Sequence, residues 1–140
     1  MNRRVPVPYS GFLFVALEIM GSRSMKDRRQ VTQSLLDRIR RRWNVSAMDL
    51  GPDGSWSEAF VAVSAAASGV AMAEERLQAV YSFLTNEEET GEFSILYHWR
   101  EVTRYDDISN AENQQADPER SFASAGAAHK ERNGKESDHH

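Results

Sequence analysis

Cysteine is absent from this 140-residue chain. That excludes a disulfide framework, a zinc ribbon and a thiol nucleophile. There is no run of about 18 apolar residues, so the sequence encodes no transmembrane helix. Phosphate-cradling loops are missing too, with neither a Walker A sequence nor a Gly-x-Gly-x-x-Gly. Histidine is scarce, and His98 is the only one of four ahead of residue 129. The last 35 residues hold one aromatic, Phe122, of the chain's 13. What remains is 40% hydrophobic content in a length suited to a single domain. The composition fits a reducing compartment.

Charge divides the chain. Residues 1–105 carry 13 Lys+Arg and 13 Asp+Glu; residues 106–140 carry 4 and 8, so the formal charge of −4 lies wholly in the second part. A segment with so little to bury cannot offset the entropy of ordering it, and 106–140 reads as a disordered acidic tail. Its His129, His139 and His140 lack metal-ligand spacing. At the other end, Met1-Asn2-Arg3-Arg4 before the apolar stretch 12–20 has the outline of a signal peptide. Glu18 interrupts that stretch, and Gly21-Ser22-Arg23-Ser24 is a poor cleavage site. We read 1–10 as an N-terminal arm and 11–105 as the folded domain. Asn44-Val45-Ser46 then matches a glycosylation pattern only by chance.

Periodicity gives the order of elements. Residues 12–19 alternate, with Leu13, Val15, Leu17 and Ile19 on an aliphatic face and Phe12, Phe14, Ala16 and Glu18 on a mixed one. Ser24 with Asp27 three residues on forms a capping box of the shorter acid, opening a helix to about residue 42. Val31, Leu35, Leu36 and Ile39 are its buried stripe. Residues 43–50 form a second strand, and Gly51-Pro52-Asp53-Gly54 a turn. A third strand covers 59–66. A second helix opens at Ser68-Gly69, with Val70, Ala73, Leu77, Val80, Tyr81 and Leu84 on one face. An acidic loop, 86–91, precedes a fourth strand, 92–100, in which Phe93, Ile95, Tyr97 and Trp99 share a face.

This β-α-β-β-α-β order predicts a ferredoxin-like α+β fold: a four-stranded antiparallel sheet with two helices on one face. The first and third strands are then central. The aliphatic faces pack on the helices, which leaves Phe12, Phe14 and Phe60 together on the open face of the sheet.

Gly21-Ser22-Arg23-Ser24-Met25-Lys26-Asp27-Arg28-Arg29 resembles the Gly-x-Arg-Ser-Leu-Lys-x-Lys-Arg signature that follows the first strand in the YlxP-like proteins of bacteria. The similarity continues through Leu35-Leu36-Asp37-Arg38-Ile39-Arg40 and Trp43-Asn44-Val45-Ser46, and reappears at Trp56 and Ala73-Glu74-Glu75. It covers about residues 11–102. Met25 for Leu and Arg28 for Lys are mild departures, and the loop 51–55 is more glycine-rich than is usual there. The resemblance implies a ferredoxin-like fold and a cytoplasmic location, and no established reaction. It also implies an association with translation, since genes of the family often lie beside that of a ribosome-binding factor.

The chemistry available is narrow. His98 has no orienting partner identifiable in the sequence, and Glu87-Glu88-Glu89 reads as a solvated acidic run. Ser22 and Ser24 have no base near them. We therefore expect no catalysis, cofactor or metal. The basic segment says more: residues 21–43 hold 8 Lys+Arg against 2 Asp. Arg23, Lys26, Arg28 and Arg29 surround a helix N-terminus and suit contact with phosphate, as in ribosomal RNA or a ribosomal subunit. Arg40, Arg41 and Arg42 read as a C-terminus matched to its helix dipole. The tail reads first as a solvated extension without a role of its own; the alternative, from its opposite charge, is that it competes with RNA for the segment 23–29. The competing expectation is a homodimer through the Phe12, Phe14 and Phe60 face, with no nucleic-acid or membrane role, or that face covered by the arm at 5–9. The RNA-recognition pattern of basic residue and glycine is missing around Phe60. Trp43 is expected in the core, and Trp56, in a loop, as a contact residue.

Overall fold

The computed structural model describes residues 4–52 and 54–106. The chain divides into two units, Met1–Arg104 and Tyr105–His140. Of the second, only Tyr105 and Asp106 are described, both exposed; the acidic tail otherwise lies outside the described residues.

In the first unit the elements are β1 (Tyr9–Ile19), α1 (Met25–Arg42), β2 (Ser46–Gly51), β3 (Glu58–Ala67), α2 (Val70–Glu88) and β4 (Phe93–Arg104). The strands pair antiparallel in the order β2-β3-β1-β4. This is the ferredoxin-like α+β arrangement, with the first and third strands central as the order of elements predicts. Leu13, Val15, Leu17 and Ile19 are buried with Leu35, Leu36 and Ile39 of α1 and Leu77, Val80 and Leu84 of α2. β1 starts at Tyr9, so two residues read as arm belong to the sheet.

Local chemistry sets the ends of α1. Gly21 adopts φ +68, a left-handed turn that suits a residue without Cβ. The Ser24 hydroxyl then accepts from the Asp27 N–H at 3.1 Å, and the Asp27 carboxylate accepts from the Arg23 N–H at 3.0 Å. The reciprocal cap thus reaches one residue further back than in the standard box. At the far end Trp43 leaves helical geometry and donates its N–H to Ile39. It is half-buried, its ring edge-on to Phe83, so β2 begins at Ser46 and not at Trp43. In α2, Phe83 is buried and Val70 is 53% exposed, which reverses the expectation for Val70.

Two further departures have clear causes. α2 continues through Glu88, into the segment read as an acidic loop. Glu87 pairs with Arg38 of α1 at 2.8 Å, and the Glu88 carboxylate accepts from the Ile95 N–H at 2.6 Å. Glu87 and Glu88, read as part of a solvated run, are therefore anchors, and of the three glutamates Glu89 alone is exposed. In β4, Ala16 faces Tyr97 while Leu17 faces Ile95, so Leu96 is an extra residue. This bulge splits the expected single face. Phe93 and Ile95 join the core, whereas Tyr97 and Trp99 stand on the open face beside Phe14. His98 falls on the helix side, its ring tilted against that of Tyr81 with centroids 4.1 Å apart.

Close packing beneath α2 depends on Gly11. A Cβ there would lie 3.0 Å from Leu77 Cδ1 and 3.1 Å from its Cγ. Gly11→Val should therefore cost about 1–3 kcal/mol by overpacking, read as a lowered denaturant midpoint at unchanged m. An unchanged midpoint would mean that the strand and helix can separate freely.

Candidate functional site

The segment 23–29 is presented by the β1–α1 turn and the first turns of α1. Arg23, Lys26 and Arg29 are exposed, and within the described residues no hydrogen bond or ion pair holds their side chains. Arg28 departs from its expected role. It is 2% exposed and points into the protein. Its guanidinium donates to both oxygens of Asp49, at 2.8 and 2.7 Å, and through Nε to the Glu58 carbonyl. A fork of donors fixed on a carboxylate cannot also grip a phosphate. The reason is helical spacing: Arg28 precedes Thr32, Leu35, Leu36 and Ile39 on the buried face.

Asp49, on β2, completes this internal site. Burial alone would push its carboxyl up. The Arg28 hydrogen bonds, the Gly51 N–H at 2.8 Å and the charges of Arg28 and Arg29 outweigh that and hold it below its ordinary value. The pair ties the start of α1 to the edge strand β2 and to the start of β3.

The remaining arginines of α1 are also engaged. Arg38 holds Glu87 and Arg40 donates to the Ala47 carbonyl. Arg41 donates to the Asp37 carbonyl, and Arg42 lies 4.5 Å over the Trp43 ring.

The open sheet face is the second candidate. Phe14 sits among Phe60, Tyr97 and Trp99 at centroid distances of 5.8, 6.0 and 5.5 Å. Phe12 adds to the row at 5.4 Å from Trp99. The sequence singled out Phe12, Phe14 and Phe60; Tyr97 and Trp99 were hidden by the β4 bulge. Met48, 55% exposed, extends the apolar surface onto β2. Within the described residues neither helix lies on this face.

Other chemistry is sparse. Among the described residues there is no group of three or more His, Asp or Glu able to hold a metal ion. No described helix is long and apolar enough to cross a membrane.

Fold and site together describe a small ferredoxin-like domain with one exposed cationic turn and one aromatic sheet face. Residues 11–96 match the family described as Protein of unknown function (DUF503), and the chain belongs to that family. It is also 28% identical, over 74 residues, to the Uncharacterized protein YlxP of Bacillus subtilis (strain 168). That similarity covers 53% of this chain and 80% of the Bacillus protein.

Proposed function

We propose that this chain is a non-catalytic, cytoplasmic accessory protein that contacts ribosomal RNA or a ribosomal particle. The observation that carries the reading is the exposure of Arg23, Lys26 and Arg29 at the first turns of α1, while Arg28, Arg38, Arg40 and Arg41 donate to internal acceptors and Arg42 lies over the Trp43 ring. Cations that satisfy no internal acceptor keep their charge available to a polyanion. The positive end of the helix dipole adds to their field.

The test is co-sedimentation of the full chain with ribosomal subunits across a salt series. Three phosphate contacts correspond to a log–log slope of about −2 on single strands, at about 0.7 each. Arg23→Ala/Lys26→Ala/Arg29→Ala should remove most of that slope and the binding with it. Binding that survives the triple substitution, or that ignores salt, would overturn the reading.

The aromatic row on the helix-free face favours a second reading, a homodimer through the open sheet. Of the five rings on this face Trp99 is 8% exposed and Phe12, Phe14, Phe60 and Tyr97 are half-buried, and their exposed part is the kind of surface that a second copy would cover.

A further inference from the structure

We propose that Trp56 is a stacking platform for an unpaired base, so that the surface of Arg23, Lys26 and Arg29 takes single-stranded rather than duplex RNA. This rests on the RNA reading above and names its ligand class. Trp56 stands apart from the other two tryptophans. Trp43 packs on Phe83 and Trp99 on Phe12 and Phe14, whereas Trp56 is 50% exposed and has no ring partner among the described residues.

Its place in the fold brings it to the cations. The next residue, Ser57, accepts at its carbonyl from the Ile19 N–H at 2.8 Å, at the end of β1. The residue after that, Glu58, accepts from Arg28, which lies between Lys26 and Arg29 in sequence on α1. Two residues of chain span at most about 7 Å, so the backbone of Trp56 lies beside the end of β1, next to the β1–α1 turn that carries Arg23. Glu58, two residues after Trp56, is exposed, and its charge repels phosphates, so a bound strand would run on the side of Arg23, Lys26 and Arg29.

The combination selects the strand state of the ligand. Every base has a π-face that an indole can cover, so stacking needs no particular sequence. In a duplex those faces are taken by neighbouring bases, and an indole can use them only after unpairing. Cations alone would favour the duplex, whose charge density is higher.

Anisotropy of a short labelled oligouridine and of a labelled blunt-ended RNA duplex, each titrated with the full chain, tests this. Trp56→Ala should weaken oligouridine binding about tenfold and leave its salt slope unchanged, because the indole carries no charge. Trp56→Phe should retain most of the affinity. Duplex binding should be unaffected by either substitution. The triple cation variant should lose affinity for both RNAs. Equal oligouridine affinity in Trp56→Ala, or an equal loss on the duplex, would overturn the stacking role while the RNA reading stands. Failure of the unsubstituted chain to bind either RNA would overturn both.

Discussion

Arg28→Ala is expected to destabilise the fold by about 3–5 kcal/mol, a large part of the 5–15 kcal/mol typical of a domain. The loss comes from what is left behind. Asp49 would keep a charge in a partly buried site with its main partner gone, and the Glu58 carbonyl would lose its donor. Arg28→Lys should recover only part of the stability, since an ammonium cannot match the fork that spans both Asp49 oxygens and the carbonyl. Replacing both partners, Arg28→Met with Asp49→Leu, should be milder than either single loss, because no lone charge is left, although the Glu58 carbonyl and the Gly51 N–H still lose their partners. The RNA affinity of that double variant should stay at the level of the unsubstituted chain, because Arg28 is internal. Denaturant melts checked against RNA binding read both outcomes. A double variant that folds but loses RNA would return Arg28 to the binding surface.

The same pair gives a pH dependence with a definite sign. The Asp49 carboxyl lies below its ordinary value in the folded chain. A depressed folded pKa means that the unfolded chain binds the proton first as acid is added. The contribution is therefore fully present above the unfolded value, about pH 4, and is lost as pH falls through the folded one. Asp49→Asn should thus melt below the unsubstituted chain from pH 5 to 8, with the gap closing under about pH 4. A gap independent of acid would mean that the pair is not ionised in the fold.

Much of the fold was legible because local rules and burial agree. The aliphatic alternation of Leu13 to Ile19, the Ser24 and Asp27 cap and the turn at Gly51-Pro52 each point to the observed element. The failures involve partners distant in sequence. Arg28 sits four residues before Thr32 and seven before Leu35, so its buried face was written in the helical period; only Asp49, 21 residues on, explains why an arginine should lie there. Glu87 looked solvated because Arg38 is 49 residues away. Phe93, Ile95, Tyr97 and Trp99 alternate without a break, and the extra Leu96 is visible only in the register against β1. Bulges of this kind leave no mark on hydrophobic periodicity, so two of the five aromatics of the open face went unseen.

Opposite faces of β1 offer the second large effect. Leu13→Ala should cost about 2–5 kcal/mol, since Leu13 is fully buried beneath the helices and its loss leaves a cavity in the close-packed layer. That cost should be the same at every protein concentration. Phe14, the next residue, lies on the other face among three aromatic rings and is half-buried. In a monomer Phe14→Ala should cost about 2 kcal/mol, from lost ring contacts and partial burial, again independent of concentration. In a homodimer closed over this face, folding and association are linked. The melting temperature of the unsubstituted chain then rises with concentration, and Phe14→Ala abolishes that rise while converting dimer to monomer in sedimentation equilibrium. Salt should hardly alter such an apolar association, in contrast to RNA contact through Arg23, Lys26 and Arg29. Melting that does not depend on concentration, with a monomeric mass throughout, would remove the dimer and leave the five rings to another occupant.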